Sequence, residues 1–321
     1  MKSSIKIALA GTPHDYVHGV IPRLITQAGY RIDWSSPKDC DLIIYGPFYK
    51  PSHHPTYRWL PKPVRPAISR LYTALANTAR LRKHQPVRLF HTGESVRHNH
   101  IDADFSLSFD LAIQQPNHLR FPYWWELVDW SHEDITGNQN PRFGELLSLD
   151  ALSQPLGHGF LNRPLRAAMI TSHLLEPRAT LVSAVRQFIP VDGYGKYFQP
   201  QIANHHQSSF TKRDLLRQYA FNLCPENQLY PGYYTEKIPE GFLAGCLPLT
   251  WVDSNMYCDF NPKAFINLAP MTAKNFAPLG EIINDRQTLQ EFGEQPLLTH
   301  RPSLEPVKSF VQEIIRQAIS A

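Results

Sequence analysis

Cysteine is scarce in this chain. Cys40, Cys224, Cys246 and Cys258 are the only four in 321 residues, too few and too irregularly spaced for a disulfide framework or a zinc ribbon, so reduced thiols are expected. No window approaches the roughly 18 uninterrupted apolar residues of a membrane-spanning helix. The apolar run in the opening MKSSIKIALAGT is too short for a signal peptide, which makes a cytoplasmic location the expectation. Internal repeats and low-complexity tracts are lacking, and charged residues at 19% against 42% hydrophobic exclude a disordered chain. The length exceeds what one core usually supports, so two domains of roughly 150 residues are expected. The 28 prolines predict many long loops.

Acidic residues are lacking altogether between Leu42 and Gly93. In that segment Lys50, Arg58, Lys62, Arg65, Arg70, Arg80, Arg82, Lys83 and Arg88 stand without an Asp or Glu, although the whole chain carries only +4. Ile68, Leu71, Leu75 and Ala79 recur there at helical spacing, which predicts a basic amphipathic helix over RPAISRLYTALANTARLRK. Two readings stay open: a helix that packs on the core with a solvated basic face, or a peripheral contact with anionic lipid at the inner face of the cytoplasmic membrane. Nucleic acid is not expected, because no recognition motif accompanies the charge.

What is present is an alternation of short apolar runs with helical periodicity. IKIALA, YRIDW, DLIIYG, VRLFH and DFSLSF read as strands, and Val17, Val20, Ile21, Leu24, Ile25 and Ala28 as a helix stopped by Gly29. From about Trp130 to Pro164 the periodicity fades and reads as an excursion plus linker. A second set follows, with RAAMIT, AFNLC, LPLTWV and AFINL as strands and ATLVSAVRQF, KRDLLRQY and TEKIPEGFLAG as helices. The pattern predicts an α/β protein with parallel sheets covered on both faces, in two Rossmann-like halves over 1–160 and 161–321. The last helix, about 305–320, is a closing element expected to pack back on the first half.

In open parallel sheets ligands sit beyond the carboxyl ends of the strands, which directs attention to the loops after LFH, MIT and NLC. The third loop, PENQLYPGYYTEK, offers Glu226-Asn227, three tyrosines around Gly232, and Thr235 as an expected cap of a helix beginning with Glu236 and Lys237. A helix start with a lysine suits a phosphate, and a carboxylate there suits a sugar hydroxyl, while an acidic residue in a first turn is equally favoured with no ligand. The second loop holds Arg178, which can fork onto phosphate oxygens or simply face solvent. In the first loop Glu94 follows Gly93, as a general base or an exposed carboxylate. Asp102-Ala103-Asp104 has the D-x-D spacing of a metal–nucleotide site but reads better as a strand cap. The pairs His53-His54, His98/His100 and His205-His206 lack metal-site spacing.

Taken together, YAFNLCPENQLYPGYYTEKIPEGFLAGCLPLTW and DFNPKAFINL closely resemble the donor-binding signature of the α-1,3-fucosyltransferases of glycosyltransferase family 10, of bacterial type. LFHTGE, DFSLSFD and LRFPYW are similar to that family's acceptor-side region, and PRATL with VDGYGK to its arginine and glycine-rich segment. The resemblance runs from about Arg88 to Leu268. Pro225 stands where the family has an aromatic residue, and Val252 where it commonly has glycine. The resemblance implies a GT-B fold, with an N-terminal acceptor-binding domain and a C-terminal GDP-fucose-binding domain facing each other across a cleft. It implies inverting transfer of fucose from GDP-β-L-fucose to a glycan or lipid-linked glycan hydroxyl, usually O3 of N-acetylglucosamine. By motif position Glu94 is the general base, Arg178 and Lys237 meet the diphosphate, Glu236 meets ribose or fucose hydroxyls, and Asn227 and Tyr233 complete the donor pocket. Glu126 is the next candidate base. No cofactor is required on this reading, although a divalent metal could stimulate. A transferase using another nucleotide sugar, a non-catalytic nucleotide-sugar binder and a glycosidase built on Glu94 and Glu236 are the alternatives.

Overall fold

The computed structural model describes residues 3–50, 85–198, 211–272 and 274–320. The expected basic helix over 65–83 lies outside the described residues, as do His53-His54 and His205-His206. The chain divides into two compact units. The first comprises 1–108, 114–119 and 305–321, the second 109–113 and 120–304.

The first unit begins with β1 (Ser4–Ala10), α1 (Val20–Gln27), β2 (Arg31–Trp34) and β3 (Leu42–Tyr45). β4 (Val87–His91), β5 (Phe105–Ser108) and the short β6 (His118–Arg120) complete a sheet of order β2-β1-β3-β4-β5-β6. The β1–β2, β1–β3, β3–β4 and β4–β5 pairs are all parallel. β3, β4 and β5 are almost wholly buried, as expected for strands covered on both faces. The strand order reverses between β1 and β3, where an open sheet usually leaves a crevice. Here the two loops meet backbone against backbone. Gly11 has φ +69, a Cβ added to it would fall 2.1 Å from Tyr49 N, and one on Gly46 would fall 2.3 Å from Gly11 O.

The second unit contains α2 (Leu149–Leu152), β7 (Ala167–Ile170), α3 (Arg178–Val185), β8 (Val191–Tyr194), α4 (Lys212–Leu216), β9 (Phe221–Leu223), α5 (Lys237–Leu243), β10 (Leu247–Thr250), β11 (Ile266–Asn267), α6 (Ala269–Thr272), α7 (Ala277–Asn284) and α8 (Arg286–Gly293). Its sheet is parallel with order β11-β10-β9-β7-β8. Strand order therefore reverses between β7 and β9. Met169, Leu223, Leu247, Leu249 and Ile266 from the strands pack with Leu181, Val185, Leu279 and Ile283 from the helices in one core.

The expected division at residue 160 is not where the units part. Residues 120–160 belong to the second unit, and the stretch read as a linker is packed: Trp130, Phe143, Leu147, Leu152 and Phe160 are each at most 1% exposed. Apart from Leu152, in the four-residue α2, they come from 3-10 turns and irregular backbone, which have no period to detect. Asn138 Nδ2 holds that backbone, donating to Glu126 O (3.1 Å) and Val128 O (2.8 Å). β6, β8 and α6 to α8 were also without a sequence expectation.

The final helix, α9 (Glu305–Ser320), belongs to the first unit. It buries Val307, Val311, Ile314, Ile315 and Ala318 on one stripe, and Phe310 meets Phe105 edge-on at 5.6 Å. Ile314 is 1% exposed. Ile314→Ala should therefore cost about 2–5 kcal/mol of stability in a urea titration. A loss below about 0.5 kcal/mol would mean that the helix does not close this core.

Candidate functional site

Strand order reverses between β7 and β9, the place where the loops leaving neighbouring strands of an open parallel sheet usually diverge and leave a crevice. The loop after β7 runs from Thr171 to α3, that after β9 from Cys224 to α5, and both carry the charged residues singled out in the sequence. Arg178 opens α3 and is only 8% exposed. Its Nη1 lies 2.6 Å from His173 Nε2, and its Nη2 donates to Asn227 Oδ1. Burial pulls the guanidinium below its ordinary pKa while Glu226 and Tyr233 partly restore it. Burial first, then the Arg178 charge, lower His173, which suits a neutral ring accepting from the arginine. Asn227 Nδ2 in turn reaches Tyr233 Oη at 3.3 Å, and the Tyr233 ring stands edge-on to Phe109 at 4.9 Å. Arg178, Asn227 and Tyr233 thus form one connected set.

The remaining part is organised by a residue the sequence reading passed over. Glu226 is fully buried, and its carboxylate accepts from Thr235 N (2.8 Å), Thr235 Oγ1 (2.8 Å) and Lys237 Nζ (2.7 Å). Lys237 Nζ also donates to Thr235 Oγ1 at 2.6 Å. This corrects the expectation that Thr235 caps the helix. The N-cap of α5 is Glu236 and makes no side-chain cap hydrogen bond, while the Thr235 hydroxyl is spent on Glu226. A buried carboxylate binds more strongly than a cap because leaving it unpaired costs several kcal/mol. Burial opposes the Lys237 charge, but Glu226 and then Glu236 more than offset it and raise the ammonium above its ordinary range. The signal for Glu226 was its place between a strand end and a Tyr-Thr-Glu-Lys turn, which alone does not distinguish a buried anchor from a loop carboxylate.

Glu236 is half-buried beside these groups. Burial tends to raise its carboxyl, but Lys237, Lys212 and Arg142 prevail and hold it at about 2. One turn further along α5, Glu240 accepts from Asn140 Nδ2 at 2.9 Å and Lys212 Nζ at 2.5 Å. Burial, with Glu236 adding, pushes Glu240 upward although Lys212 works against it. The two carboxylates therefore share the field of Lys212, which helps hold Glu236 low and only partly offsets the burial of Glu240.

Glu94 lies in the first unit, in the bend after β4. It is exposed, and its backbone N–H donates to Thr92 Oγ1 at 3.1 Å. His91, just before it, is buried with its Nδ1 2.7 Å from Tyr16 Oη, and burial lowers it to about 3. Glu126 belongs to the second unit, in the 3-10 turn Tyr123–Leu127. Asp102 and Asp104 both face Arg88, at 3.4 and 2.8 Å. Asp104 Oδ2 also accepts from Arg88 N at 2.9 Å, so the pair is engaged by the neighbouring strand β4. Among the described residues no group of three His, Cys, Asp or Glu side chains has metal-binding geometry. From Arg120 on, the LRFPYW motif belongs to the second unit, where Trp124 contacts Phe260 at 5.3 Å.

Comparison with known proteins follows the same two regions. Residues 162–292 match glycosyltransferase family 10 (fucosyltransferase), C-terminal part, and residues 66–127 match the N-terminal domain of α-(1,3)-fucosyltransferase FucT. The chain is 30% identical over 206 residues to the α-(1,3)-fucosyltransferase FucT of Helicobacter pylori. That alignment takes in 59% of this chain and 42% of the relative, so the chain spans less than half of the curated protein it matches. A crystal structure of an α1,3-fucosyltransferase with GDP-fucose is similar at a TM-score of 0.66 and 21% identity, covering 98% of this chain and 91% of that one. Another, with GDP, gives 0.62 and 21%, covering 99% and 91%. These likenesses, with two parallel sheets, establish the GT-B class of α/β fold.

The Glu226–Lys237 pair predicts a stability effect alongside any effect on binding. Lys237→Met leaves a buried carboxylate unpaired and should cost about 3–5 kcal/mol in a denaturant titration. Adding Glu226→Gln should recover most of that loss. An unchanged midpoint for Lys237→Met would remove Glu226 from its anchoring role.

Proposed function

We propose that this chain is an α-1,3-fucosyltransferase of glycosyltransferase family 10 that moves L-fucose from GDP-β-L-fucose to a glycan hydroxyl. The observation that carries the reading is the placement of Arg178 after β7 and of the Glu226–Thr235–Lys237 cluster after β9, the two strands at the strand-order reversal. A nucleoside diphosphate needs cations that are already placed. The arginine offers five N–H donors in a fixed plane, of which His173 and Asn227 engage only part.

The reaction read from this set is an in-line displacement at the anomeric carbon, with inversion. The acceptor oxygen forms the new glycosidic bond as the bond to the GDP β-phosphate oxygen breaks. Arg178 and Lys237 stabilise the charge that develops on the departing diphosphate, a role that side-chain cations can fill without a divalent ion. Glu236, held ionised, accepts hydrogen bonds from ribose or fucose hydroxyls, and Asn227 and Tyr233 border the donor. Glu94 accepts the proton of the acceptor hydroxyl, which is O3 of an N-acetylglucosamine-type residue on this reading. An oligosaccharide or lipid-linked glycan of a bacterial surface polysaccharide or lipopolysaccharide is the proposed acceptor class.

In the described part of the chain no helix is long and apolar enough to cross a membrane. Action in the cytoplasm, with the basic 42–93 segment touching the membrane's inner face, remains part of the proposal. The alternative donors and the glycosidase reading are separated from it by one assay that offers GDP-fucose, other GDP-sugars and a fucoside.

The residue-level test is Glu94→Gln, which keeps the shape but cannot take a proton. Turnover of GDP-fucose onto a lactosamine-type acceptor should fall roughly 10²–10⁴-fold, with GDP affinity within about twofold of wild type. The acid limb of kcat/KM, which reports the essential base of the free enzyme, should vanish or move. Near wild-type turnover would remove Glu94 from the mechanism and turn attention to Glu126.

A further inference from the structure

Arg120 is the second residue of the LRFPYW motif, at the end of β6, and lies in the second unit with the groups its guanidinium touches. Its guanidinium grips Asp259 with both ends, Nη1 to Oδ1 at 2.8 Å and Nη2 to Oδ2 at 2.7 Å. Trp124 Nε1 adds a third donor to Oδ2 at 3.2 Å. The same guanidinium also donates to two backbone carbonyls, Nε to Phe109 O at 3.1 Å and Nη2 to Gly232 O at 3.3 Å. Its side chain is 21% exposed and that of Asp259 4%.

Those two carbonyls bring the Phe109–Ile113 segment against the turn that carries Tyr230, Tyr233 and Tyr234, all within the second unit. The approach is close: a Cβ on Gly232, whose φ is +95, would fall 2.1 Å from Phe109 O. The Phe109 ring stands edge-on to Tyr230 at 5.7 Å and to Tyr233 at 4.9 Å. The turn is held from within by Tyr233 N donating to Tyr230 O at 3.0 Å and Tyr234 N to Gly232 O at 3.0 Å. From Tyr233 the hydrogen bonds continue to Asn227 and Arg178.

We propose that Arg120 is a positioning residue for the donor site, setting the Gly232 turn and, through Tyr233 and Asn227, the orientation of Arg178. The inference rests on the GDP-fucose reading given above and adds to it a residue that touches no substrate. Asp259, 139 residues away in sequence, fixes the plane of the guanidinium, and that plane aims the remaining N–H groups at Phe109 O and Gly232 O. A lysine cannot reproduce this, because its three donors radiate from one nitrogen and have no fixed plane. An ion pair kept only for stability would make no use of the fork's two further contacts, since buried pairs often add little net stability.

The test compares Arg120→Lys, which keeps the charge beside Asp259, with Trp124→Phe, which removes one hydrogen bond from Asp259 and leaves the fork intact. Melting temperature, GDP affinity by calorimetry, and KM and kcat for GDP-fucose are measured for both variants and for wild type. Arg120→Lys should raise KM for GDP-fucose and weaken GDP binding about tenfold, with kcat within about threefold. Trp124→Phe should lower the melting temperature and leave KM near wild type. Equal melting losses in both variants with unchanged KM and GDP affinity would make Arg120 structural only and overturn the inference. Should Arg120→Lys not fold, Asp259→Asn carries the same comparison with the same deciding outcomes. Wild type that binds no GDP would sink the functional reading itself, whereas wild type that binds GDP no better than Arg120→Lys sinks this inference alone.

Discussion

One buried charge, the carboxylate of Glu226, sets the terms for the second unit's loops. An unpaired carboxylate in so enclosed a place would cost several kcal/mol, more than most single contacts in a protein contribute. Three donor groups surround it, and all of them come from the short span Thr235–Lys237. Meeting that demand ties the start of α5 to the end of β9. It also leaves the Lys237 ammonium on a fixed anion and Glu236 at the helix start, next to Lys237, with its charge retained. A flexible lysine would have to be ordered by its ligand at an entropic cost, and here the fold has already ordered it.

The second unit repeats this logic at three places. Glu226 meets Lys237, Glu240 meets Lys212 and Asn140, and Asp259 meets Arg120 and Trp124. Each is a buried carboxylate satisfied by donors from a different segment. Hydrophobic packing builds the sheet and its helices, but it has no direction and cannot aim a guanidinium. The paired charges do that. The first unit differs: its own reversal point is occupied by the glycine loops at Gly11 and Gly46, and its candidate base sits in the exposed bend after β4.

Legibility in the sequence tracked the range of the interaction. Strands such as LIIY, VRLFH and LPLT were readable because both faces are buried, so the run is continuously apolar. The helix Glu305–Ser320 was readable from its stripe, and Arg178, Asn227, Tyr233, Glu236 and Lys237 could be picked out because they follow strand ends. Long-range polar pairing was not readable. Glu226 resembles any loop carboxylate until its three donors are seen, and nothing local joins Arg120 to Asp259. The stretch from about Trp130 to Pro164 was misread as an excursion plus linker because its large aromatic residues are buried from irregular backbone, where no period exists to detect.

The central claim is that Arg178 and its anchored neighbours form a diphosphate site that exists before the ligand arrives. It is tested most directly by calorimetric titration of GDP and GMP into wild type and Arg178→Ala. Loss of one charge-assisted contact on the β-phosphate is worth roughly 1.5–3 kcal/mol, or about one to two orders of magnitude in affinity. The account predicts that wild type prefers GDP over GMP by such a factor and that the preference largely disappears in Arg178→Ala. An undiminished preference for GDP in the variant would contradict it.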